Sequence, residues 1–456
     1  MVVEQEVHPS VPVTRVDASG AEVRIAEAEF PKPFHIGLQY SSPARGSWTI
    51  AHSPMLIPGM HEIYVCCGCC LHGVVLSAEE IPGGFDRFSM VTVNNDNVLK
   101  GDLEKMMIDG VTDIIRELPQ KPKCVECFTS CIQHFLHMDL AFVYRTLRER
   151  FPDIDFIDGY MTPTLQRKYT PDMLGRRQLM RAVRPPERKG AGGGRERAVN
   201  FIVNYFPTDP QSEIVRMFRE GGWTIRDFAD ISTYEEYKAM GSSAANICFH
   251  ENSLDAAKDL EKRLGQEAVY APYSWSFDRI EEELTGLAGR FDLPLPDFRD
   301  CRRRAEKALS HLKETIGDMP VAIDYTATPR PLSLARLLLD HGIRVYAVYC
   351  DVFCQEERED FDYLREHFPE LLLRATMHFK MRLLPRDDDV RKGGVLAVGQ
   401  KAAYFTGTDR FVNIIENGGL YGFEGVCAMA RRMEEAAEEP KDTKKLIQIK
   451  ALDCVG

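Results

Sequence analysis

The sequence predicts an α/β fold organised as three successive domains of parallel sheet. Three observations lead there. The chain has 456 residues, too many for one ordinary core. From residue 200 onward, short β-rich runs alternate with helical periodicity, the pattern of βαβ units. No internal repeat of 20–50 residues is present, which argues against a solenoid.

The elements follow in chain order. "KCVECFTS" (123–130) reads as a strand. "RAVRPPERKGAGGGRERA" (181–198) carries six Arg or Lys among Gly and Pro and reads as a linker. "NFIVNYF" (200–206) is strand-like, and "PQSEIVRMFREGG" (210–222) is a helix closed by glycine. "AANICFH" (244–250) and "SLDAAKDLEKRLG" (253–265) repeat the pair, the helix opening on a serine cap. "PVAIDYT" (320–326), "LSLARLLLDHG" (332–342), "IRVYAVY" (343–349) and "GVLAVG" (394–399) continue the alternation. These units divide the chain into domains at 1–190, 199–310 and 311–456.

Composition narrows the function. Hydrophobic residues make up 44% and charged residues 28%, ordinary for a globular protein. The net charge of −12 argues against nucleic acid as a partner. No apolar run approaches a membrane span, and the N-terminus lacks the pattern of a secretory signal. A cytoplasmic location is expected. "GVLAVGQK" (394–401) has Gln400 where a phosphate-binding loop needs lysine, so it reads as strand and turn.

The cysteines carry the chemistry. Of thirteen, seven lie within residues 66–131. In a reducing compartment this is not a disulfide framework. Cys66, Cys67, Cys69 and Cys70 form two interleaved C-x-x-C pairs, and Cys124, Cys127 and Cys131 have C-x-x-C-x-x-x-C spacing. Such pairs can turn sulfurs toward one centre, and thiolates select iron–sulfur clusters or zinc. The 53 residues between Cys70 and Cys124 fit a zinc ribbon poorly. Zinc, thiol redox chemistry and plain packing stay open beside iron and sulfide. In α/β sheets ligands sit at the carboxyl ends of strands. Cys131, Cys248, His250 and Cys350 all occupy such positions, and Cys301, Cys354 and Cys427 read as packing or surface.

Two of these segments carry a family resemblance. "PGMHEIYVCCGCCLHGVV" (58–75) resembles the first cluster-binding segment of nitrogenase component 1 subunits, with Cys66 on the family's cysteine. "ECFTSCIQHFLHMDL" (126–140) resembles the later segment, with Cys131 on its cysteine. "NICFHENSLDAAKDLEKRLG", "HGIRVYAVYCDVF" and "GGLYGFEGVCAMARRM" follow the family's order downstream.

The resemblance implies three Rossmann-like domains around a central cavity. It implies an iron–sulfur cluster, 4Fe–4S or larger, held where a second component 1-type subunit meets this one. A separate nitrogenase Fe-protein-like ATPase would deliver the electrons. Cys66 and Cys131 are then the leading ligands, with Cys70, Cys69 and Cys127 next, and His250, His134 and His72 are candidate proton donors. A substrate or second cofactor would sit near His250 and Cys350. The sequence departs from the nitrogen-fixing members. It lacks their further cysteine in "EEIPGGFDRF" (79–88), has His250 where they place a cofactor-binding cysteine, and has Val412 where they place a histidine. Nitrogen fixation is therefore not expected. The expectation is the catalytic subunit of a two-component, ATP-dependent reductase. The alternative is a non-catalytic partner or a cluster-assembly scaffold.

Overall fold

The computed structural model describes residues 20–42, 44, 50–79, 81–161, 170–185, 195–382 and 394–447. Residues 186–194 of the expected linker lie outside them, and the described flank from Glu196 is already strand.

Among the described residues, fourteen strands form three sheets. An N-terminal strand, β1 (Glu22–Arg24), belongs to the last of them. The first sheet comprises β2 (Met60–Cys66), β3 (Phe88–Thr92), β4 (Cys124–Ser130) and β5 (Asp155–Met161), ordered β3-β2-β4-β5 and wholly parallel. The second comprises β6 (Glu196–Phe201), β7 (Thr224–Asp227), β8 (Ser243–Cys248) and β9 (Glu267–Tyr270), ordered β7-β6-β8-β9 and again parallel. The third comprises β10 (Val321–Asp324), β11 (Val345–Tyr349), β12 (Leu372–Arg374), β13 (Leu396–Val398) and β14 (Phe411–Val412). Its order is β1-β12-β11-β10-β13-β14, parallel except for β1.

The chain divides into two compact units. One holds residues 46–312 and 414–432, with the first two sheets; the other holds 1–45, 313–413 and 433–456, with the third. The N-terminal residues thus join the last sheet and not the first, because β1 pairs with β12 through Val23 and Leu373.

In each sheet the strand order reverses beside the first strand of the α/β alternation. That reversal opens a crevice at the carboxyl ends. In the first sheet it lies between β2 and β4. Both strands are buried throughout, as central parallel strands are. One face of the sheet, through Ile63, Val65, Val125 and Cys127, packs on the helices Leu103–Glu117 and Leu140–Arg150. The first of these helices buries Leu103, Met107, Val111 and Ile115 on one stripe. Each contributes roughly 1.5–3 kcal/mol of burial. The other face, through Tyr64, Cys66 and Phe128, meets the helix Gly68–Glu79 at Leu71, Val74 and Ala78.

Candidate functional site

Cys66 is the last residue of β2 and is fully buried. Cys131 opens the short helix Cys131–Phe135 that follows β4 directly. The two strands are neighbours, and their last register pair is Val65 with Thr129. The chain therefore delivers Cys66 and Cys131 to the same crevice, with strands about 4.8 Å apart. Gln133 ties the two segments. Its Nε2 donates to the Val65 carbonyl at 2.6 Å, and its Oε1 accepts from the Ser130 N–H and hydroxyl, each at 2.9 Å. Cys70 lies in the first turn of the helix after β2 and is exposed. Cys69 is in the same turn; its side chain, like that of His72, lies outside the described residues.

The remaining clustered cysteines part from this group. The C-x-x-C-x-x-x-C spacing runs along an extended strand, where residues three apart face opposite ways. Cys127 consequently packs on the far face among Ile63, Val65 and Val143. Burial raises its thiol pKa, and Glu126 and Asp158 add to the effect. Cys124 sits at the amino end of β4 in another apolar cluster. Seven residues of strand separate it from Cys131, about 23 Å. The expectation that Cys127 joins the ligand set is corrected on this geometry: strand alternation turns it away from Cys66.

The histidines occupy distinct settings. His134 is half-buried on the helix that Cys131 begins, with its ring centroid 6.0 Å from that of Tyr160. Its Nε2 is buried without a hydrogen-bond partner among the described residues, and burial lowers its pKa. His250 follows β8, and its Nδ1 accepts from the Asn252 N–H at 3.0 Å. Asn252 in turn donates to Asp172 Oδ2 at 2.7 Å. Cys248, two residues before His250, is buried in the core; its thiol faces the Val269 carbonyl at 3.5 Å and is pushed up to about 12, first by burial. Cys350 directly follows β11 in the other unit and is buried, with its thiol 3.2 Å from the Val352 carbonyl.

Two buried constellations were not legible in the sequence. Arg176, on the helix Pro171–Leu179, has a fully buried side chain. It bonds Asp172 at 2.9 Å, Glu416 through both oxygens at 2.9 and 2.8 Å, and the Val203 carbonyl at 2.7 Å. Tyr205 lies beneath the guanidinium, 4.3 Å from ring centroid to Cζ, and donates to Asp172 at 3.0 Å. Burial works to raise the Asp172 pKa, but Arg176, His250 and the hydrogen bond from Asn252 outweigh it and hold it low. The second constellation is a pair of buried acids, Glu62 and Glu126, in register on β2 and β4. An arginine or glutamate is ordinarily a solvated surface residue, so nothing local marked either group.

The soft-donor set suits a metal–sulfur group. Cys66 and Cys131 stand at the carboxyl ends of adjacent strands at a strand-order reversal, and Cys70 lies in the first turn of the helix that follows β2.

Comparison with known proteins decides the family. The nitrogenase component 1-type oxidoreductase pattern matches residues 94–438, well over half of the chain. The chain belongs to that family. Among solved structures, nitrogenase Cp1 at pH 6.5 superposes with a TM-score of 0.65 at 14% identity, over 89% of this chain and 94% of that one. Nitrogenase Cp1 at pH 5 gives 0.59 at 13% identity, over 92% and 94%. Comparison with curated proteins finds no similar sequence. At such identities the superpositions show a shared fold. As a nitrogenase component 1-type chain, the protein is an oxidoreductase-family member built on several parallel α/β sheets. No helix among the described residues is long and apolar enough to cross a membrane.

Proposed function

We propose that this chain is the catalytic-component subunit of a two-component, ATP-dependent reductase of the nitrogenase type, working in the cytoplasm. A separate iron–sulfur ATPase supplies the electrons, and an interface cluster receives them. The observation that supports the reading is the placement of Cys66 and Cys131 at the carboxyl ends of the neighbouring strands β2 and β4.

Cys66 and Cys131 would hold the cluster, with Cys70 and Cys69 beside them; when bound, it supplies one-electron transfer. The Gln133 bridge fixes the two segments and so the span between the donors. Beside Cys131, the side chains of Phe135, Leu136 and Phe142 are exposed and apolar. Such a surface next to the donors suits a second component 1-type subunit completing the site. His134, kept neutral by burial, takes up a proton before it can hand one on. His250 keeps Nδ1 occupied by Asn252, which leaves Nε2 as its proton-bearing atom when neutral.

Iron and sulfide analysis of anaerobically purified protein tests the reading. Cys66→Ala and Cys131→Ala lose most of the iron–sulfur absorbance, while Cys301→Ala, in a helix core beside Arg304, keeps it. Zinc without iron, or equal iron in all three variants, contradicts the assignment. With a Fe-protein-like ATPase present, ATP-dependent oxidation of that partner with substrate turnover supports the reductase. Cluster transfer to an apo-protein without turnover would instead mark a scaffold.

A further inference from the structure

A cavity of about 330 Å³ lies against the face of the first sheet that carries Tyr64 and Phe128. Its walls include Ile50, Pro54, Phe128, Tyr205, Asp172 and Glu126. Phe128 presents a flat ring, stacked on Tyr64 at 4.6 Å and 9°.

The acids divide into a satisfied and an unsatisfied set. Asp172 is compensated by Arg176 and by the Tyr205 hydroxyl. Glu126 and its register partner Glu62 are not. Both are at most 1% exposed. Tyr64 donates to Glu62 Oε2 at 2.8 Å, but Glu62 Oε1 and Glu126 Oε2 have no hydrogen-bond partner among the described residues. Arg87 is the cation that acts on Glu62, and its three hydrogen bonds go to the carbonyls of Met55, Ile57 and Met60. Two carboxyl groups on adjacent strands cannot both ionise without a counter-charge, and burial raises both. Glu126 thus lines a largely apolar cavity and carries an oxygen, Oε2, with no hydrogen-bond partner among the described residues. A hard metal ion does not suit the pair. Among the described residues, no third carboxylate, imidazole or thiol gathers with them within 4.8 Å.

We propose that this cavity binds a small organic cation, a primary ammonium or amidinium on a compact apolar body, whose N–H groups donate to Glu126 and whose body lies on Phe128. The inference concerns binding alone and does not depend on whether the cysteines hold a cluster. Iron content tests the one, and calorimetry tests the other.

Isothermal titration of the full chain with benzamidine and its neutral isostere benzamide is the experiment. Benzamidine binds at least tenfold more tightly than benzamide. Glu126→Gln, which keeps the shape, abolishes that preference. Gly175 lines the cavity from the helix Pro171–Leu179, and a Cβ there meets nothing within 4 Å. Gly175→Leu therefore extends an apolar side chain into the space without replacing either acid, and it blocks benzamidine while the thermal midpoint is retained. Equal affinity for the two probes, binding of neither, or an undiminished preference in Glu126→Gln overturns the proposal.

Discussion

At Cys127 the competition between spacing and geometry is settled by one strand. Its thiol is packed among Ile63, Val65 and Val143 on the face opposite Cys66. Cys127→Ser therefore leaves the iron content unchanged while placing an unsatisfied hydroxyl in the core. It costs roughly 1–3 kcal/mol in urea denaturation. Arg176 makes the contrary case. Its removal leaves Glu416 without its bidentate partner and Asp172 without its ion pair. Arg176→Ala should destabilise the unit by about 3–5 kcal/mol, and Arg176→Lys should not rescue it, because an ammonium lacks the planar fork.

His61 supplies a pH signature. Its Nε2 lies 2.8 Å from Ser89 Oγ, and burial, then Arg87, pushes its pKa down to about 4. An unfolded histidine titrates near 6.5, so between that pH and about 4 the unfolded chain binds the extra proton. Stability falls as the pH drops through this window, by up to about 1.4 kcal/mol per unit from this one group. Denaturation of wild type and His61→Gln across the window isolates the contribution: the variant's curve is flatter. A variant with the same slope as wild type would remove His61 from the account.

Among the elements, the clamp between β2 and β4 is the one that ties together the two segments of the proposed donor site. Gln133 is buried, binds Ser130 locally and reaches Val65, 68 residues earlier in the sequence. Gln133→Ala orphans those groups at a cost of about 1–3 kcal/mol and lowers iron occupancy without removing any thiol. In the other unit, Gly399 turns from β13 into the helix Gln400–Thr406 with φ +109°, and a Cβ there would stand 2.3 Å from an Asp324 carboxylate oxygen. Gly399→Ala is thus expected to unfold that unit well below the wild-type midpoint in a thermal melt.

The elements also show where sequence pattern suffices. Helices 213–220, 254–264 and 331–340 fall inside or beside their expected spans, because apolar spacing and glycine closure are local signals. The strand expected at 200–206 instead runs Glu196–Phe201. Val203 has φ +54°, which ends extended pairing early, and the strand begins at the exposed, charged Glu196 and Arg197. The helices Phe277–Phe291 and Phe298–Ile316 carry equally regular apolar stripes, yet the sequence reading assigns no element there.

For the molecule as a whole, the exposed Phe135, Leu136 and Phe142 beside Cys131 set the expected assembly. Replacing Phe135 and Phe142 by glutamate should shift sedimentation from an oligomer toward the monomer and reduce iron retention together. A monomeric wild type that holds its full iron would separate the cluster from any interface. The family assignment spans both compact units, since the matched residues 94–438 run through each.

By itself the sequence determined the α/β alternation and the family, and it singled out Cys66 and Cys131 as candidates, since these readings rest on local periodicity and on short motifs. Tertiary structure alone decided which thiols face the crevice, that β1 joins a strand some 350 residues away, and that Arg176, Glu62 and Glu126 are buried. The physical reason is that a side chain's direction and solvation are set by which strands pair and what covers them. Those partners lie far along the chain, beyond the reach of any local pattern.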